Sequence, residues 1–262
     1  MRGCIFAAPT VVPKGFIEMI RLDDLHVGGL KIYQDSDSFC FGTDAVLLAW
    51  FSSVKKFTNI VDLCSGNGIV AILLSRFKCF KSGFSVELND AQVLLCKKSL
   101  ELNNIDDRLK VLNTDLRLIR KEKLLPSGKF DLVTVNPPYS AVGSGAVSDG
   151  SKGIARTELE CTLKDIAAQG SFLLRQGGRL CVVHRPERLS DMVIEFHEFG
   201  LELKRLRMVC ARTGEPPSMI LAEFIKQAKS GVLIEAPLII YKEDGTYTDT
   251  VSRIYERGVE NE

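Results

Sequence analysis

The stretch Phe130-Asp131-Leu132-Val133-Thr134-Val135-Asn136-Pro137-Pro138-Tyr139 limits the fold more than any other part of the chain. Its first half is a run of β-branched and apolar residues, which reads as a strand buried on both faces and therefore as part of a sheet flanked by helices. The strand then stops, because neither proline has an N–H to give to a ladder. Pro137 also drives Asn136 out of helical backbone space into an extended or turn conformation. The strand thus ends on a side-chain amide, a free carbonyl and an aromatic ring, at the sheet edge where open α/β folds bind ligands. Asn136 Oδ1 and the Pro137 carbonyl can accept the two hydrogens of a planar NH2 group, and Tyr139 can stack on its face. Taken alone, the two prolines also fit a reading as simple turn punctuation.

A second segment narrows the choice. Asn59 to Cys64 reads as the first core strand, followed by Ser65-Gly66-Asn67-Gly68 and a helix from Ile69 to Arg76. Strand, glycine-rich turn and helix form the nucleotide-binding arrangement, in which Gly66 and Gly68 let backbone approach a ligand. The turn also fits the G-x-G-x-x-A dinucleotide pattern, with Glu87 about 20 residues on, which leaves a nicotinamide cofactor open. Gly83 to Leu88 is a second strand, and the Glu87 carboxylate at its end can accept both hydroxyls of a ribose. Asn89 to Asn104 has helical apolar spacing, and Leu109 to Leu112 is a third strand ending at Asp115, placed to bond an adenine amino group.

Upstream, Leu22 to Gln34 alternates around Gly28-Gly29 as a short hairpin. Thr43 and Asp44 precede the apolar run Ala45 to Phe51, either as helix caps or as groups delivered to the mouth of a cofactor pocket. Downstream, Ser140 to Gly153 is rich in Gly, Ser and Ala, a mobile substrate lid or a plain connector. A helix is expected over Leu159 to Arg175, a strand over Arg179 to Val183, a helix from Arg185 to Phe199, and two strands over Leu203–Val209 and Ser218–Phe224. The three tyrosines between Pro237 and Tyr255 point to a tail that packs back on the domain. Lys204, Arg205, Arg207 and Arg212, with Arg185 and Arg188, form a basic concentration, a phosphate-contacting patch or a salt-bridged surface.

With 262 residues, 45% of them hydrophobic, the chain suits one large domain over residues 21–262 behind a loose extension over residues 1–20. A net charge of +1 rules out a global basic field, so nucleic-acid contact must be local. The eight cysteines include no C-x-x-C and read as reduced thiols, and the three histidines are too dispersed for a metal cluster, so no metal is expected. No apolar run spans a membrane and no signal peptide is apparent; a cytoplasmic location follows.

Asp62 to Gly68, Glu87, Asp115 and Asn136-Pro137-Pro138-Tyr139 resemble, in order and spacing, the S-adenosylmethionine-dependent amino-methyltransferases. Phe41 to Ala49, Ala155-Arg156-Thr157-Glu158, Lys204 to Arg207 and the tail are similar to bacterial tRNA adenine-N6-methyltransferases that act on an anticodon-loop adenine of valine tRNA. The resemblance implies a Rossmann-like class I methyltransferase fold with a mostly parallel seven-stranded sheet and S-adenosyl-L-methionine as cofactor. It assigns Asp62, Gly66 and Gly68 to the methionyl part, with Thr43 and Asp44 closing that end, Glu87 to the ribose and Asp115 to the adenine. Asn136, Pro137, Pro138 and Tyr139 would grip the acceptor amine of a structured RNA, with Asn136 also lying against the cofactor. Cys64 stands where the family often has its first glycine. A glutamine side-chain amide is also a planar NH2, so a protein-glutamine N5-methyltransferase is the rival enzyme, and a cofactor-binding RNA-recognition module the non-enzyme reading.

Overall fold

In the computed structural model, residues 20–35, 42–53, 59–77, 80–138 and 161–256 are described. The expected hairpin is β1 (Ile20–Asp24) and β2 (Lys31–Asp35), antiparallel around Gly28 and Gly29, both at positive φ. The chain continues through α1 (Thr43–Ser52), β3 (Asn59–Leu63), α2 (Ile69–Arg76), β4 (Ser82–Glu87) and α3 (Asp90–Leu102). It then builds β5 (Leu109–Asn113), β6 (Phe130–Val135), α4 (Leu163–Leu173), β7 (Leu174–His184) and α5 (Leu189–Glu198). The last elements are β8 (Leu201–Cys210), β9 (Pro217–Lys226), the short β10 (Leu233–Ile234) and β11 (Leu238–Ile239), and α6 (Asp249–Glu256).

The large sheet runs β10-β8-β9-β7-β6-β3-β4-β5, with β11 also on β8. Its middle is parallel, and β9 enters antiparallel between β7 and β8. The seven expected strands are therefore present, and the two-residue strands β10 and β11 bring the total among the described residues to nine. β7 begins earlier than the expected Arg179, because Leu174 already pairs with Phe130 and a bulge carries the chain past Gly177, at φ +68°, to the Leu132–Arg179 pair.

Helices cover both faces, as a doubly buried strand requires. Apolar residues of the hairpin, α1, α2, α3 and α6 form one core and those of α4 and α5 the other. The described part of the fourth helix starts at Leu163 because Thr162 and Asp165 cap it reciprocally. The tail packs back as expected: Val251 and Ile254 are buried, and Tyr241, Tyr247 and Tyr255 stack with centroids 5.5 and 5.4 Å apart. The extension up to residue 19, Tyr139, the Ser140–Gly153 segment, Arg156 and Glu158 lie outside the described residues.

Candidate active site

Strand parity builds the site. Successive side chains of a strand alternate between faces, so Leu132 of β6 faces the α1–α2 core while Val133 and Val135 face the α4–α5 core. Thr134 shares the face of Leu132 and donates to Asp62 of the neighbouring β3 at 2.6 Å. Asn136 continues that parity past the strand end and meets α1, where its Nδ2 donates to Asp44 Oδ2 at 3.1 Å. Pro137 is buried beside it and Pro138 is exposed. Neither Thr43 nor Asp44 caps α1, since Gly42 holds the cap position without a side-chain bond.

The glycine turn follows β3. Gly66 and Gly68 have φ of +53° and +86°, left-handed backbone in which glycine avoids the Cβ cost. A Cβ at Gly66 would meet nothing within 4 Å, so the turn presents open backbone on that side. Cys64 also sits at a left-handed φ of +54° despite its side chain, and its sulfur lies 3.7 Å from that of Cys161. Both thiols are free, and the contact with the Cys161 thiol, followed by burial, pushes the Cys64 thiol up.

Glu87 closes over this turn. Its Oε2 accepts the Gly66 N–H at 2.8 Å, and its Oε1 accepts those of Leu88 and Asn89 at 2.9 and 2.8 Å. Oε1 thus has both lone pairs engaged while Oε2 keeps one, so the group still accepts from a ligand's hydroxyl. Asp115 stands differently from the expectation: its carboxylate takes the Arg117 guanidinium at 2.5 Å as well as the Arg117 N–H. That partner holds its carboxyl below the usual range, and an adenine amino group would have to share it.

Asp62 is buried to 1% exposure, and its Oδ2 makes no hydrogen bond of normal geometry. The Thr134 hydroxyl and the nearby Ala71 N–H favour its charge, but burial outweighs both and lifts its pKa from 3.8 to about 7. An acid whose native pKa is raised keeps a proton that the unfolded chain has lost, so folding stability falls as pH rises from about 4 to about 7. Thermal midpoints across that range are expected to show the slope in the wild type and to lose this part of it in Asp62→Asn. Parallel profiles would disprove the assignment.

The expected basic patch does not survive as drawn. Arg205 turns inward, with its guanidinium 3.8 Å from the Phe51 ring centroid and 3.4 Å from both Glu223 and Glu235. Arg207 lies over Trp50 at 5.1 Å and pairs with Glu235 at 3.2 Å. Both are under one-fifth exposed, so they hold β8 to α1 rather than face a phosphate. Lys204 is tied to the Lys229, Ser230 and Gly231 carbonyls. Arg212 pairs loosely with Glu215 at 3.7 Å and stays half exposed at the rim of a cleft of about 530 Å³ that also holds Tyr241 and Lys242. That cleft lies between the end of β8 and the tail, away from the glycine turn. Among the described residues no cluster of three or more His, Cys, Asp or Glu could hold a metal, and no helix is long and apolar enough to cross a membrane.

Sequence reasoning missed the bond between Asp44 and Asn136, 92 positions apart, for which no local pattern exists. It also missed Cys161 beside Cys64. The Thr43 side chain is hydrogen-bonded to Tyr255, so the tail reaches the first turn of α1.

Comparison with known proteins agrees with the fold. A tRNA1(Val) (adenine(37)-N6)-methyltransferase of Haemophilus influenzae is 26% identical over 224 residues, covering 85% of this chain and 92% of that protein. A protein of the same name from Bacteroides fragilis is 28% identical over 199 residues, covering 75% and 82%. Among solved structures, a predicted O-methyltransferase from Agrobacterium tumefaciens superposes with a TM-score of 0.67 at 23% identity, covering 82% of this chain and 96% of that one. A geranyl diphosphate C-methyltransferase from Streptomyces coelicolor gives 0.52 at 11%, covering 70% and 79%. One fold thus carries different acceptors, and the acceptor has to be argued from the site. The model of the methyltransferase small domain matches residues 36–200, and the chain belongs to that family.

Proposed function

We propose that this chain is an S-adenosyl-L-methionine-dependent methyltransferase acting on the exocyclic N6 amine of an adenine in structured RNA, a tRNA anticodon-loop adenine. The observation that carries the reading is Asn136, which stands at the end of β6 with Nδ2 held by Asp44 and is followed by the Pro137 carbonyl. The similarity to tRNA1(Val) adenine-N6-methyltransferases over most of both chains supports the acceptor.

The residues present fit the cofactor. Asp62 Oδ2 is a buried acceptor without a partner, the open backbone of Gly66 leaves room, and Glu87 stands over it. In this reading Asp62, Gly66, Gly68 and Thr43 surround the methionyl end, Glu87 the ribose and Asp115 the adenine. The cofactor, when bound, supplies a methyl group on a positively charged sulfur.

An adenine amine is a poor nucleophile, because its lone pair is delocalised into the ring. Hydrogen bonds from its two N–H groups to Asn136 Oδ1 and the Pro137 carbonyl favour a pyramidal nitrogen with a localised pair, an interaction stronger in the transition state than in the ground state. No strong base is required beforehand, since the proton leaves after the N–C bond forms. Stacking by Tyr139 would orient a base drawn from its stack, which costs least in a single-stranded loop. Arg212, half exposed, is one member of the basic group able to meet RNA phosphate, and a cytoplasmic location suits that substrate.

Incubation with labelled cofactor and either unmodified tRNA or a release factor tests the reading. Label in the tRNA, recovered as N6-methyladenosine, is expected, whereas label in the protein fraction alone would favour the glutamine acceptor. Replacing Glu87 with alanine removes a charged acceptor for a ribose hydroxyl. Cofactor Kd, measured by calorimetry, is expected to rise about 10²-fold, and an unchanged Kd would move the ribose elsewhere.

A further inference from the structure

We propose that Asp44 is the positioning residue that decides which end of the Asn136 amide faces the acceptor. This rests on the function proposed above. A primary amide is ambivalent, with an oxygen that accepts and a nitrogen that donates, nearly equal in size. Only the oxygen can take a hydrogen from an NH2 group. Turned over, the same side chain would set an N–H against an N–H and remove the bond that localises the amine's lone pair. The backbone of a strand end does not choose between the two orientations.

Asp44 makes the choice. A carboxylate oxygen can only accept, so the atom of Asn136 that lies 3.1 Å from Asp44 Oδ2 has to be the donor Nδ2. The flipped amide would press Oδ1 against that oxygen. The carboxylate is itself fixed: Asp44 is 6% exposed, and its Oδ1 accepts the Ala45 N–H at 2.8 Å. Gly42 makes the arrangement possible, since a Cβ there would lie 2.7 Å from Asp44 Oδ1. The neighbouring Thr43 is bonded by Tyr255, the end of the three-tyrosine stack, so the start of α1 is held from the tail side as well. Asp44 therefore acts on the acceptor side of the reaction, through Asn136, rather than closing the methionyl end of the cofactor site as the family resemblance implies.

The two roles separate in measurement. In Asp44→Ala, kcat on unmodified tRNA at saturating cofactor is expected to fall about 30- to 100-fold, the scale of a reacting group misplaced by roughly an ångström, while cofactor Kd stays within about threefold. Asp44→Asn keeps one oxygen, which the Ala45 N–H claims, and turns an NH2 group toward Asn136; it favours the flipped amide and is expected to lose as much rate as Asp44→Ala. Adding Asp44→Ala to Asn136→Ala is expected to cost nothing further, because the two residues act as one unit. A Kd raised about tenfold or more with kcat unchanged would overturn the proposal. So would Asp44→Asn retaining the wild-type rate.

The side-chain amide signals of Asn136, assigned by their loss in Asn136→Ala, give a readout that needs no acceptor. Slow hydrogen exchange of that NH2 in the wild type and fast exchange in Asp44→Ala are expected. Equal exchange in both would sink the proposal whatever the substrate is. Failure of the wild type to label tRNA, with the exchange difference intact, would instead remove the RNA reading and leave the amide's orientation standing.

Discussion

Asn136→Ala is expected to lower kcat on tRNA by about 10³-fold or more while leaving cofactor Kd and the thermal midpoint close to wild type. Removing a single preorganised hydrogen-bonding group aimed at a reacting centre costs about 10²- to 10³-fold in other enzymes. Asn136 should lie at the upper end, because its loss also leaves Asp44 Oδ2, buried at the site, without the amide that Asp44 accepts from. The substitution sits after β6 rather than within it, so no ladder bond is lost and the fold should tolerate it. Single-turnover label transfer measures the effect. A variant that retains full transfer would show that the amine is gripped elsewhere.

The largest stability effect is expected at Glu223, in β9. Its carboxylate is 4% exposed and takes Arg179 of β7 at 2.8 Å and Arg205 of β8 at 3.4 Å, joining three strands through one group. Nε of both arginines is buried and makes no bond of its own, so these guanidiniums depend on the contacts at their tips. Glu223→Ala leaves both cations with less countercharge in the core. Breaking a buried pair from one side typically costs about 3–5 kcal/mol, far more than the pair contributes relative to an apolar replacement. Urea unfolding should show that loss, and Glu223→Gln, which keeps shape and one acceptor, should lose less. A shift under about 0.5 kcal/mol, the range of ordinary surface substitutions, would mean that Glu235 alone suffices for Arg205.

Glu223 also explains what the sequence could and could not disclose. The strand runs, the glycine turn and the strand-end polar residues were legible because their signals are local: period-two or continuous apolar runs, glycines at left-handed φ, prolines that end a ladder. The fold class and the order Asp62, Gly66, Glu87, Asn136 follow from such signals. Arg205 and Arg207 misled because a cluster of cations in sequence looks the same whether its tips meet water or carboxylates. Their partners, Glu223 and Glu235, lie 18 and 28 positions away. In sequence, Asp115 reads only as a bonding group for an adenine amine, although Arg117, which takes its carboxylate, is two residues on. Asp44 and Asn136 meet only through the parity of β6 and the docking of α1, a tertiary fact with no trace in either segment.

The strand order β7-β9-β8 has a consequence for a chain leaving the ribosome. β8 is synthesised before the strand that joins it to the rest of the sheet, and its two inward arginines emerge before Glu223 and Glu235 exist to neutralise them. The C-terminal part of the sheet therefore stays open until β9 slots into the gap. The hold of Tyr255 on Thr43 comes later still, because Tyr255 follows both glutamates in the chain. A nascent chain stalled before that point would carry the glycine turn and Asn136 yet lack the clasp on α1, so the start of α1 gains its tail-side support only after β9 has been made.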